Sequence, residues 1–150
     1  EENREAGELA EAFVFEFENK RVCNPALQSK IKIISDIDVC AGYDILSFSS
    51  SSATDYDRYI EVKAFSSLGF YWSRNEVEVA KLKSYEYFLY LVDLTQVNNP
   101  LYVPDMIQNP FKEIFTTADW LVEAQSYHVR NVGDSKLSGI STYSRENINY

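Results

Sequence analysis

Apolar positions recur with a helical period over the first twenty residues. In "ENREAGELAEAFVFEFENK", residues 2 to about 20, Leu9, Ala10, Phe13, Val14 and Phe17 make one stripe. Glu8, Glu11 and Glu18, spaced by three and seven, fall near one another on another face. Asn24-Pro25 ends the helix, because the ring of a proline disfavours helical geometry in the residue before it. The period then shortens to two. "KIKIISD", 30–36, reads as a strand, and Gly42 introduces a second, "YDILSFS", at 43–49. "SSSSATDYD", 49–57, is a polar hairpin loop leading to a third strand at 58–66. "FYWS", 70–73, extends that meander.

A helical period returns in "SRNEVEVAKLKSY", 73–85. Ser73 and Glu76 have the spacing of a capping box, and Val77, Ala80 and Leu82 form a modest apolar face. "YEYFLYLVDL", 85–94, is the most hydrophobic strand, which suits a central position covered on both faces. "NNPLYVPDMIQNP", 98–110, reads as loop, "FKEIFTTA", 111–118, as a short helix, and "DWLVEAQSYHVRN", 119–131, as a late strand containing His128. The final stretch is polar and weakly patterned. The order helix, strand, strand, strand, helix, strand predicts an α/β (α+β) sandwich whose mixed central sheet is flanked by helices. It divides into a single domain over 1–130 and a polar extension over 131–150. The chain begins at Glu1 and its one methionine is Met106, so it reads as part of a larger multidomain protein.

Composition narrows the function. Hydrophobic residues are 45% and aromatics 15% of the chain, which excludes a disordered segment. No apolar run is long enough to cross a bilayer, and no signal peptide is visible. The net charge of -9 repels phosphates, which counts against an autonomous DNA-binding module and leaves room for an enzyme that another domain delivers to DNA. Cys23 and Cys40 stand alone and His128 is the only histidine, so zinc and histidine-based metal hydrolysis lack their ligands. Two unpaired cysteines suit a reducing, cytoplasmic setting.

The chemistry concentrates in "RYIEVKAF", 58–65. Ile60, Val62 and Ala64 define one face of a strand, and Glu61 and Lys63 share the other, between Tyr59 and Phe65. Asp44 lies on the preceding strand, just after Gly42. If the two strands are neighbours, Asp44 approaches Glu61. Two converging carboxylates repel unless a cation sits between them. Hard oxygen donors suit Mg²⁺, and the Val62 carbonyl offers a further ligand. Lys63 would then stand where it stabilises charge developing on a phosphate.

"GYDI" at 42–45, followed by "RYIEVKA" at 58–64, resembles the D…(D/E)-x-K signature of the PD-(D/E)XK nuclease superfamily. More narrowly, "GELAEAFVFEFE", "GYDILSF", "RYIEVKA", "FYWSRNEVEVA" and "YFLYLV" resemble, in order, the C-terminal domain of NO VEIN proteins, which recurs in bacterial restriction and phage-defence proteins. The likeness covers roughly residues 7–94. It implies a restriction endonuclease-like core and a Mg²⁺-dependent DNA endonuclease, with Mn²⁺ as a substitute ion. Asp44 and Glu61 become metal ligands, and Lys63 the catalytic lysine. Glu11 matches a first-helix glutamate placed beside the metal. Helix periodicity alone does not separate Glu11 from Glu8; the likeness does. "YD" stands where the superfamily has "PD", with the carboxylate intact.

The blander readings are an exposed Glu61–Lys63 ion pair worth about 0–1 kcal/mol, and a fold that keeps its shape without chemistry. In the latter case the chain is an inactive nuclease-fold module recognising DNA or protein inside a helicase- or ATPase-containing complex. Ser73, Arg74 and Asn75 are candidates for phosphate contact at a helix N-terminus, beside the simpler capping role of Ser73 with Glu76. Tyr71 and Trp72 read as core, and Cys40 as a small packing residue. The superfamily's use of paired active sites makes a homodimer compatible with the sequence.

Overall fold

A computed structural model describes residues 2–65 and 69–124. The chain runs through α1 (Glu2–Val22), α2 (Pro25–Gln28), β1 (Lys32–Ile33), β2 (Ile45–Ser47) and β3 (Arg58–Ala64). It continues through α3 (Arg74–Lys83), a 3-10 turn (Ser84–Glu86), β4 (Tyr87–Val92), β5 (Asp105–Gln108) and α4 (Pro110–Thr116). The strands form one mixed sheet in the order β1-β2-β3-β4-β5. β3 and β4 are parallel and the other neighbouring pairs antiparallel. The fold is α+β. The parallel pair requires a crossover, which α3 supplies.

Side-chain alternation builds two cores. Ile60 and Val62 of β3, with Phe88, Tyr90 and Val92 of β4, pack against Ala10, Val14 and Val22 of α1. On the opposite face Leu89 and Leu91 meet Ile114 of α4, with Phe65, Phe70, Trp72, Ile107 and Trp120 around them. All six residues of β4 are buried, the doubly covered position that its unbroken apolar run predicts. The odd-numbered face of β3, carrying Glu61 and Lys63, therefore lies away from α1 and toward α3.

The first helix departs from its predicted stripe. Leu9 is 61% exposed, and the buried positions are Ala10, Val14, Glu18 and Val22. These four follow one another at intervals of four, one row along a helix. Glu18 is fully buried rather than grouped with Glu8 and Glu11 on a polar face. Its charge is tolerated because its oxygens are satisfied. Arg21 donates to both, at 2.8 and 2.7 Å, and the hydroxyls of Ser47 and Tyr90 donate at 2.6 Å each. Burial pushes the Glu18 carboxyl up, but these donors together hold it below the usual range. Arg58 donates to the Tyr90 hydroxyl at 2.9 and 2.6 Å and lies 3.7 Å from the Phe88 ring centroid. This cluster ties α1 to β2, β3 and β4.

Other boundaries shift. The first strand shrinks to two residues. Asp105–Gln108, predicted as loop, is a strand because it can pair with the edge of β4. The "FYWS" stretch is not a strand; a single bridge is found at Gly69. Tyr71 is 79% exposed and Cys40 is exposed, so neither packs in the core as predicted, whereas Trp72 does. Residues 119–124 carry no strand, and the rest of the predicted late strand, with His128 and the polar extension, lies outside the described residues. The Ser-rich loop over 49–57 joins β2 to β3 as predicted. No described helix is long and apolar enough to cross a membrane.

Candidate functional site

Gly42 sets the geometry. Its φ of +76° is the left-handed conformation that favours glycine, and a Cβ there would stand 2.7 Å from Val79 Cγ2. The Gly42 carbonyl accepts the Tyr87 hydroxyl at 2.7 Å, and Asn75 Nδ2 donates to the Cys40 carbonyl at 2.9 Å. The loop before β2 is thus clasped from β4 and from α3. It delivers Asp44 to the margin of the sheet, next to the middle of β3. The Asp44 N–H donates to the Ile60 carbonyl at 2.8 Å, and Asp44 Oδ2 accepts the Val62 N–H at 2.8 Å. The Val62 carbonyl projects from the same edge of β3 as that N–H, because a strand residue aims both groups to one side.

On the α3-facing side of β3, Lys63 Nζ stands 2.7 Å from Glu61 Oε1 and 2.9 Å from Glu76 Oε2. Glu61 is buried, with 3% exposure. Glu76 is held by the capping box that starts α3: Ser73 N–H donates to its Oε2 at 3.0 Å, and its own N–H donates to Ser73 Oγ at 3.3 Å. A cavity of about 220 Å³ opens here, lined by Ser35, Asp38, Gly42, Asp44, Glu61 and Glu76 among others.

Electrostatics make this spot unlike an ordinary surface. Burial pushes the Asp44 carboxyl up to about 7, against the pull of the Val62 N–H, with Glu11 pushing it further. Burial, and after it the neighbouring Asp44, drives Glu61 well above the usual carboxylate range. Burial pulls the Lys63 ammonium down, but Glu61 and Glu76 outweigh it and the net direction is up. Burial likewise opposes ionisation of Glu76, yet Lys63 and Ser73 hold it below its ordinary value. One lysine therefore faces three carboxylates. The surplus negative charge falls on Asp44 and Glu61, where a proton or a divalent cation relieves it.

Of the residues singled out in the sequence, the structure brings Asp44, Glu61 and Lys63 together. Glu11 stands at the margin: its Oε2 accepts the Ser35 hydroxyl at 2.6 Å, and Ser35 rather than Glu11 lines the cavity. Ser73 and Asn75 line it too, but Ser73 is spent on the cap and the Asn75 amide on the Cys40 carbonyl. Arg74 is exposed. Glu76 is the member that sequence reasoning assigned only to capping. Its signal was the same capping box, since the N3 position of a helix crossing over β3 faces that strand. Among the described residues, no three acidic, histidine or cysteine side chains are gathered closely enough to hold an ion between them. The donor set fits Mg²⁺ in the form that ion accepts, one or two carboxylates with water completing the shell.

Asp44 and Glu61 thus share one cavity, with Lys63 two residues along β3 from Glu61. The chain belongs to the family described as Protein NO VEIN, C-terminal, whose profile matches residues 10–103. Comparisons with curated proteins and with solved structures return no match.

Proposed function

We propose that the domain is a divalent-cation-dependent DNA endonuclease of the PD-(D/E)XK type, serving a restriction or phage-defence protein. The observation that carries the reading is the meeting of Asp44 and Glu61, 17 positions apart in the chain, in one cavity beside Lys63. Asp44 and Glu61 would hold Mg²⁺ or Mn²⁺, with the Val62 carbonyl on the same edge. The ion supplies Lewis acidity and a place for water near the scissile phosphate. Lys63 contributes a fixed positive charge aimed at the phosphate oxygens, where negative charge grows during displacement. Glu11, through Ser35, adds negative potential behind Asp44. The acidic surface motivates delivery of DNA by another domain, a helicase or ATPase among the candidates, or by a second copy of the chain.

The test is cleavage of plasmid DNA by the purified domain in Mg²⁺ or Mn²⁺. Asp44→Ala, Glu61→Ala and Lys63→Ala each abolish it while circular dichroism stays unchanged. Undiminished cleavage by Glu61→Ala overturns the site.

A second reading has its own support. The net charge of -9 favours an inactive module of the same shape, with a protein partner rather than free DNA. Calorimetry separates the two: millimolar Mn²⁺ binding that disappears in Asp44→Ala supports the enzyme, and no binding supports the module.

A further inference from the structure

The Lys63 ammonium has two seats, and they belong to different elements. Glu61 shares its strand, two residues away; Glu76 reaches it from α3. The two contacts are 2.7 and 2.9 Å, so neither seat is the obvious spare. Yet the two carboxylates are not equivalent. Both line the cavity with Asp44, but Glu61 stands on β3 next to Val62, whose N–H Asp44 holds across the β2–β3 margin, whereas Glu76 belongs to α3. Glu76 Oε2 is tied to the Ser73 N–H, so it stays in place whatever happens at Glu61.

A divalent cation entering between Asp44 and Glu61 competes with Lys63 for the same oxygens, because two cations on one carboxylate repel each other. The lysine side chain is only 18% exposed, so it cannot simply withdraw into water. Losing Glu61 with no second acceptor would strand a charge in a largely dry place. We infer that Glu76 is a positioning residue that receives the Lys63 ammonium when a divalent cation occupies Glu61. It keeps the lysine at the reacting centre and lowers the cost of admitting the ion. The inference rests on the reading of Asp44 and Glu61 as a cation site.

The experiment is calorimetric titration of the domain with Mn²⁺, which needs no turnover. Glu76→Gln keeps an oxygen for the Ser73 N–H but removes the charge, so it returns Lys63 to Glu61. It weakens Mn²⁺ binding by about tenfold or more, the weight of one lost partly buried charge interaction. Glu76→Asp, which keeps the carboxylate, recovers most of that loss. Removing the lysine erases the dependence: Lys63→Gln and the double variant Lys63→Gln/Glu76→Gln bind Mn²⁺ equally. Unchanged Mn²⁺ affinity in Glu76→Gln overturns the inference and leaves the cation site standing. So does an equal Glu76→Gln penalty with and without Lys63. No Mn²⁺ binding by the unaltered domain overturns the cation site and the inference together.

Discussion

Asp44 offers a quantitative handle on the site. Its folded-state carboxyl is raised from 3.8 to about 7. A raised acid binds its proton more tightly in the folded state than in the unfolded one. Its contribution to stability is thus complete below about pH 4 and is lost as pH climbs through 7. Three units correspond to a ceiling of about 4 kcal/mol, at 1.36 kcal/mol per unit. Asp44 is half-buried and opens onto the cavity it shares with Glu61, so relaxation and water reduce the figure to about 1–3 kcal/mol. Asp44→Asn keeps an oxygen for the Val62 N–H and removes the charge facing Glu61. In metal-free buffer with a chelator, the unaltered domain should lose stability to urea between about pH 4 and 7, the window set by those two values. The Asn variant should show a flatter profile and exceed it at pH 8. Adding millimolar Mn²⁺ at pH 8 should reverse the ranking, because the ion replaces the proton in the unaltered domain only. A variant less stable than the unaltered chain at pH 8 without metal would show that Asp44 is not electrostatically strained, and the account of the cavity would fail with it.

Two further outcomes follow from the packing. Glu18→Gln leaves Arg21 and Arg58 short of their buried counter-charge and should cost about 3 kcal/mol in urea unfolding; a loss under about 1 kcal/mol would mean that the two arginines find other acceptors. Gly42→Ala meets both an unfavourable φ and the Val79 side chain, and should destabilise by about 2 kcal/mol while weakening Mn²⁺ binding through a displaced Asp44. An unchanged melting temperature in Gly42→Ala would show that the loop has freedom to move aside.

Much of the fold was legible along the chain because each element carries its own period. The unbroken apolar run of β4 announced a strand covered on both faces. The alternation of β3 placed Ile60 and Val62 on one face and Glu61 and Lys63 on the other. Ser73 and Glu76 marked the start of α3 within one residue. β5 was missed because "DMIQ" has neither alternation nor β-branched enrichment beyond Ile107; an edge of β4 makes it a strand, and that edge is invisible locally. Glu18 was misplaced for the opposite reason. A glutamate looks polar in any periodicity count, yet it sits on the buried row because Arg21, Ser47 and Tyr90 are waiting there.

The sequence by itself determined the residue types and the local geometry of the site: the strand that puts a carboxylate and an amine on one face, the glycine that permits the turn before Asp44, and the cap that begins α3. These are properties of neighbours a few positions apart, which backbone sterics and side-chain period fix directly. Tertiary structure alone decided which charges meet. The Asp44–Glu61 pairing needs the β2–β3 register, and the seat of Lys63 on Glu76 needs α3 to cross back over β3 on its way to β4. Charge interactions are set by distance through space and by the water excluded around them, and neither quantity is written in the spacing of residues along a chain.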